Sequence, residues 1–297
     1  MRPIVFSLLP LTLLLTVITA ASLISYGLLQ FTGDIQPIEK IISKTTEVLL
    51  ILSIFPLKRI LKLSWFDLGF SANRIFFKQF LQGFLLSLIT LLPVLFSLYA
   101  LDVHIFDDTR QWTVGKVTGK VSLAFLLALL IALSEEILFR GLLLSALRQR
   151  FSIFFAIAIS SLYYAALHFL KSKTSIPFTE LSINSGFQLM LEAFGNWLNP
   201  AILSALLSLF VVGVFLSTIR SLIPQSLGLC IGCHCGWVWQ IKTSKDLFNV
   251  NPQSDYLFLV SNYDGVVGPM VSLWLSLAIV AFIGLNKRYF CKKEKHL

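Results

Sequence analysis

The chain has 297 residues, 56% of them hydrophobic and 13% charged. A soluble domain carries about 25% charged residues, so a soluble globular fold is excluded. The net charge of +9 calls for no nucleic-acid partner, because Lys and Arg flanking membrane spans on the inner side give the same excess. Three of the four cysteines, Cys230, Cys233 and Cys235, crowd into one apolar segment, which argues against an extracellular disulfide framework. With no internal repeat, low-complexity tract or soluble linker, residues 1–297 read as a single integral membrane domain.

Apolar runs predict an all-α, polytopic membrane helical bundle of about eight transmembrane helices. They cover residues 4–29, 42–61, 80–100, 121–147, 151–170, 201–219, 222–241 and 266–285. Most reach the ~20 residues that cross a ~30 Å hydrocarbon core. The first is too long for the 7–15-residue core of a signal peptide and is read as a span. Pro56 interrupts the second and Pro93 marks a kink in the third. Residues 187–197, in a loop, have helical apolar spacing and read equally as a helix on the membrane surface or as an ordered loop. The excess of Lys and Arg falls on the side of Arg2, Lys58, Arg59, Arg148, Arg220 and the basic tail 287–295. That bias puts both termini in the cytoplasm, in the inner or plasma membrane if the cell is bacterial. The lipid bilayer is then an obligatory partner.

Within residues 121–147 the chain reads S-E-E-I-L-F-R-G at positions 134–141. Ionisable groups in hydrocarbon cost several kcal/mol unless paired or facing a polar cavity, so Glu135, Glu136 and Arg140 are functional candidates. On a helix Glu136 and Arg140 are four apart and share a face, and Glu135 points about 100° away. The simplest arrangement pairs Glu136 with Arg140 and frees Glu135. A purely structural polar clamp between helices is the plainer alternative.

Two histidines lie in apolar segments, His168 after Tyr164 and His234 within G-C-H-C-G-W. At ~1.5 Å per residue, Glu135, His168 and His234 all fall roughly 20–27 Å from the turns near Arg148 and Arg220. A carboxylate and two imidazoles at one depth suit general-base hydrolysis or metal binding.

E-E-x-x-x-R in one span, an aromatic-x-x-x-H in the next and a later intramembrane His resemble the CPBP family of intramembrane proteases. This is the family of the type II CAAX prenyl endopeptidases and the bacterial Abi proteins. Glu135, Glu136 and Arg140 match its first motif. Tyr164 and His168 match its second, with Tyr164 where Phe is usual. His234 matches its later histidine. The resemblance covers residues 121–241, as the catalytic core.

It implies hydrolysis of peptide bonds in a membrane-associated protein or peptide substrate. Glu135 with His168 would activate water, a neutral His234 would donate to the oxyanion, and Glu136 with Arg140 would hold the helix. Many members have Asn four residues after the later His, and this chain has Val238 there, with Gln240 off that helical face. No cofactor is expected, although two His and two Glu could hold Zn²⁺ and members are often labelled metalloproteases. Cys230, Cys233 and His234 form a rival metal motif, against which stands a packing role for small residues beside Gly228, Gly232 and Gly236. A proton-coupled transporter lacks the inverted repeat that would support it. A non-catalytic scaffold or immunity-type member of the family is the remaining alternative.

Overall fold

The structure is a computed structural model that describes residues 3–285, with side chains from residue 7 onward. Arg2, Cys291, His296 and the basic tail 287–295 lie outside the described residues. The fold is an all-α membrane bundle. Its helices are α1 (Pro3–Thr32), α2 (Ile38–Ile60), α3 (Asn73–Ala100) and α4 (Val114–Glu136), followed without a break by a π-helical segment (Ile137–Leu143) and α5 (Leu144–Arg148). Then come α6 (Ile153–Leu167), α7 (Ser185–Gly195), α8 (Leu203–Leu222), α9 (Leu227–Leu247) and α10 (Pro269–Leu285).

Eight spans were expected from the apolar runs. Among the described residues four helical stretches are long and apolar enough to cross a membrane: Ser7–Thr32, Asn73–Ala100, Val114–Arg148 and Pro200–Leu222. Helix α6 is apolar but has 15 residues, and α10, described as far as Leu285, has 17. Helix α2 carries Glu39, Lys40, Lys44, Glu47, Lys58 and Arg59, and Pro56 does not end it. Helix α9 begins five residues later than expected and continues through Gln240, Lys242, Lys245 and Asp246. These charges dilute the apolar signal of two helices that are otherwise long enough.

The helices are sorted by which face is small. Helix α3 buries Gly83, Ser87, Thr90, Leu91, Val94 and Leu98, and turns Leu85, Ile89 and Phe96 outward. Small and polar residues inside with large apolar residues outside is the arrangement for a bundle in lipid, where close backbone approach drives association. It is most pronounced where α3 meets α9. A Cβ on Gly232 would collide with the Phe80 carbonyl, and one on Gly236 with the Ser87 hydroxyl. Gly232→Ala must therefore push the two backbones apart, at a cost of about 1–3 kcal/mol. Gly195→Ala, with nothing within 4 Å of the new methyl, should not lower stability. Thermal midpoints of the two variants in detergent check this, and equal midpoints would show that the contact tolerates a methyl.

Helices α3, α4, α6, α8, α9 and α10 form the main bundle, with α6 against α8 and α10 against α8 and α3. Helices α1, α2 and α7 pack on one another, and α2 meets the π-helical segment, where Ile54, Leu63, Leu68 and Leu142 form a small core. The stretch read as a surface helix or loop is thus helical, and it buries Leu189 and Ala193. Outside the helices, β1 (His104–Phe106) and β2 (Phe248–Val250) pair antiparallel, His104 opposite Val250 and Phe106 opposite Phe248. This ladder ties together two loops that the sequence left separate.

Candidate active site

The run 121–147, expected as one regular helix, widens at Ile137–Leu143 into a π-helix. Such turns leave backbone carbonyls without regular partners and concentrate at functional sites. Here the Ser160 hydroxyl donates to the Phe139 carbonyl at 3.3 Å. Glu136 is the last residue of α4 and Arg140 lies in the wide turn, and both are fully buried. Arg140 Nη1 donates to Glu136 Oε1 at 2.8 Å. The guanidinium also lies over the Tyr164 ring, 4.2 Å from its centroid. One carboxylate and one aromatic face thus hold a cation that would otherwise be unpaired in the interior.

The same carboxylate oxygen has a second partner. His234 Nδ1 lies 2.8 Å from Glu136 Oε1, so this nitrogen carries the proton that the carboxylate accepts. His168 follows the last residue of α6, and its Nδ1 lies 2.8 Å from the Tyr164 carbonyl, so it too is protonated at Nδ1. Both tautomers are assigned from these bonds. Both rings consequently present Nε2 to the cavity, and each Nε2 is 3.8 Å from Glu135 Oε2. The Tyr164 ring spaces the pair, 4.7 Å from His168 and 6.1 Å from His234 between centroids.

In this tautomer a neutral His234 has no N–H facing the cavity. A neutral imidazole has one N–H, and Glu136 takes it. His234 donates from Nε2 only as the imidazolium, whose charge then lies between Glu135 and Glu136.

A separation of 3.8 Å is too long for a direct hydrogen bond. It does suit one water shared by Glu135 Oε2 and a histidine Nε2, at about 2.8 Å from each. Tetrahedral zinc with bonds of about 2.0–2.1 Å wants its donors about 3.3 Å apart. Among the described residues no group of three His, Cys, Asp or Glu is placed to hold a metal ion. Cys230, Cys233 and Cys235 are free thiols, fully buried, and Cys230 Sγ contacts the Leu216 carbonyl at 3.5 Å. Cys230 and Cys233 lie in the main apolar core with Trp237 and Leu216.

Glu135, His168 and His234 line a cavity of about 1010 Å³ between the main bundle and the group α1, α2 and α7. Its walls are apolar, with Leu91, Val94, Leu209 and Val212 on one side and Leu14, Ile18, Leu50 and Leu189 on the other. Lys40, Lys44, Lys171, Lys242 and Lys245 border it, together with Glu39, Glu47 and Asp264. Val238 faces the cavity, whereas Gln240 turns to α3 and donates to the Ser87 and Gly236 carbonyls. The chain after His168 is anchored by Glu192 of α7, which accepts from the Ser172 hydroxyl at 2.5 Å and the Lys173 amide at 2.9 Å. These bonds, the Ser172 hydroxyl first, lower its pKa to about 2. Since the folded pKa is depressed, this anchor is present above the usual carboxylate range and is lost as pH falls towards 2.

One lining residue had no sequence signal. Tyr263 sits in the loop before α10, in none of the motifs. The loop is braced by Asp264, whose Oδ1 accepts from the Val266 and Val267 amides, and by His104 Nε2, which donates to the Gly265 carbonyl at 2.7 Å. Gly265 has φ +78°, a region glycine enters without strain. The Tyr263 ring packs on Phe169, 5.1 Å between centroids. The residue is 38% exposed, so its burial is partial; that partial burial, then the charges of Asp264 and Glu135, raise its phenol to about 12.

A family model described as type II CAAX prenyl endopeptidase Rce1-like matches residues 117–240. No curated protein and no solved structure matches the chain. The match includes most of α4, the π-helical turn, α6, α8 and most of α9, and so every residue of the glutamate and histidine cluster. Four apolar helices of membrane-crossing length and this match together mark an integral membrane protein. Residues 117–240 of the chain are thus similar to a type II CAAX prenyl endopeptidase Rce1-like domain.

Proposed function

We propose that this protein is an intramembrane endopeptidase that cleaves membrane-associated, CAAX-type protein substrates through a glutamate-activated water. The observation that carries the reading is Glu135 Oε2 lying 3.8 Å from both His168 Nε2 and His234 Nε2 on the wall of an apolar cavity. A water bridging Glu135 and His168 loses a proton to the Glu135 carboxylate as its oxygen attacks the scissile carbonyl. The carbonyl π electrons move to oxygen, and the oxyanion is held by Nε2–H of the His234 imidazolium. Collapse of the tetrahedral intermediate breaks the C–N bond, and the proton on Glu135 passes to the leaving amine. Glu136 fixes the His234 ring and Arg140 compensates Glu136. This sequence needs no metal.

The cavity also fits the substrate end. Its apolar walls suit a lipid-modified chain, and its lysine border suits a terminal carboxylate. The test is cleavage of a prenylated CAAX-type peptide by the purified protein in nanodiscs. Cleavage is expected, unchanged by a chelator. Amidating the peptide C-terminus should raise KM by about 3–10-fold, the scale of a few exposed charge interactions. Loss of activity on chelation that zinc restores would replace the metal-free reading. Binding without cleavage would favour a scaffold, the alternative that Val238 on the cavity wall supports.

A further inference from the structure

We propose that the Tyr263 hydroxyl is a second hydrogen-bond donor to the carbonyl oxygen under attack, supplied from outside the matched domain. The inference rests on the hydrolytic reading of the Glu135 site. Tyr263 lies beyond residue 240, yet it lines the same cavity as Glu135, His168 and His234. Its ring is seated on Phe169, the neighbour of His168, and Glu135 is within electrostatic reach. The loop that presents it is fixed at Gly265 by His104 and at Val266 and Val267 by Asp264. Such bracing lets a loop hold a side chain in position, as a preorganised donor requires. Among the described residues the hydroxyl donates to no other group, although the Tyr263 amide bonds to Ser261.

The chemistry of the cavity asks for such a donor. His234 Nδ1 is committed to Glu136, so its Nε2 donates only in the charged ring form. Val238, one turn further along α9, is apolar. A phenol raised above its ordinary value keeps its proton through the neutral range and donates without leaving a charge behind.

The experiment compares wild type, Tyr263→Phe and Glu135→Gln in nanodiscs on a farnesylated CAAX-type peptide, with kcat, KM and thermal midpoint measured. Inhibition by the corresponding peptide aldehyde, whose hydrate mimics the tetrahedral intermediate, is measured alongside. Phe keeps the ring on Phe169 and deletes only the hydroxyl. Tyr263→Phe should lower kcat by about 10²–10³-fold, the effect of removing one oxyanion donor. KM and the midpoint should stay near wild type, and the aldehyde should weaken by a similar factor. Wild-type kcat in Tyr263→Phe, with Glu135→Gln inactive, would overturn this inference and leave the hydrolytic reading standing. A lowered midpoint with kcat and KM both impaired would also overturn it, in favour of a packing role. A wild-type protein that binds the peptide without cleaving it would overturn the hydrolytic reading, and this inference with it.

Discussion

Glu135→Gln should abolish peptide cleavage and leave the fold intact. The neighbours of Glu135 make the two effects separable. Its side chain is 28% exposed, facing the cavity, and Oε2 has no hydrogen-bond partner among the described residues. Two imidazole nitrogens lie 3.8 Å from it. An amide is the same size, strands no buried cation and can itself donate towards either Nε2. Thermal stability should therefore stay within about 0.5 kcal/mol, as for substitutions that break no buried network. Activity is another matter, since an amide accepts no proton from water. Loss of a positioned base typically removes about 10²–10⁴-fold in rate. Turnover of a prenylated peptide and a thermal shift on the same preparation measure both. Activity within tenfold of wild type would remove Glu135 as the base.

That Glu135 and Glu136 differ was legible from spacing alone. Four residues separate Glu136 from Arg140, and one helical step separates the two carboxylates. The widened turn at Ile137–Leu143 was not legible, because apart from Gly141 its residues are ordinary helix formers and its bond from Ser160 to the Phe139 carbonyl comes from another helix. The bond from His234 to Glu136 was hidden for a similar reason. It links residues 98 apart, on helices whose rotation about their axes no local pattern reports. Apolar runs found the helices but overstated their equivalence as spans. Length and hydropathy agree for α3 and α8 and disagree for α2, charged near both ends, and for α9, charged in its second half. Tyr263 was out of reach altogether. Its place depends on the β1–β2 ladder and on the bond from His104 to Gly265, and neither leaves a trace in short, irregular loop sequence.

Glu136→Gln should do what Glu135→Gln does not and unfold the site. Glu136 Oε1 is the acceptor for both Arg140 Nη1 and His234 Nδ1, at 2.8 Å each, in a fully buried position. An amide removes the negative charge and leaves Arg140 beside Tyr164 with no counter-charge. Breaking a buried pair from one side typically costs about 3–5 kcal/mol. Because that cost belongs to the stranded cation, removing the cation should recover part of it. Arg140→Met in the Glu136→Gln background places a flexible apolar chain against the Tyr164 and Phe139 rings that the guanidinium now covers. The double variant should melt above Glu136→Gln alone. Its activity should not return, because His234 still lacks the carboxylate that fixes its Nδ1 proton. Stability and activity are thus expected to part company across the series. Thermal shifts and peptide turnover on the two single variants and the double variant in nanodiscs give the full cycle. If Glu136→Gln proves stable yet inactive while Glu135→Gln keeps its activity, the two carboxylates have exchanged roles, and the base must be sought on the side of Arg140.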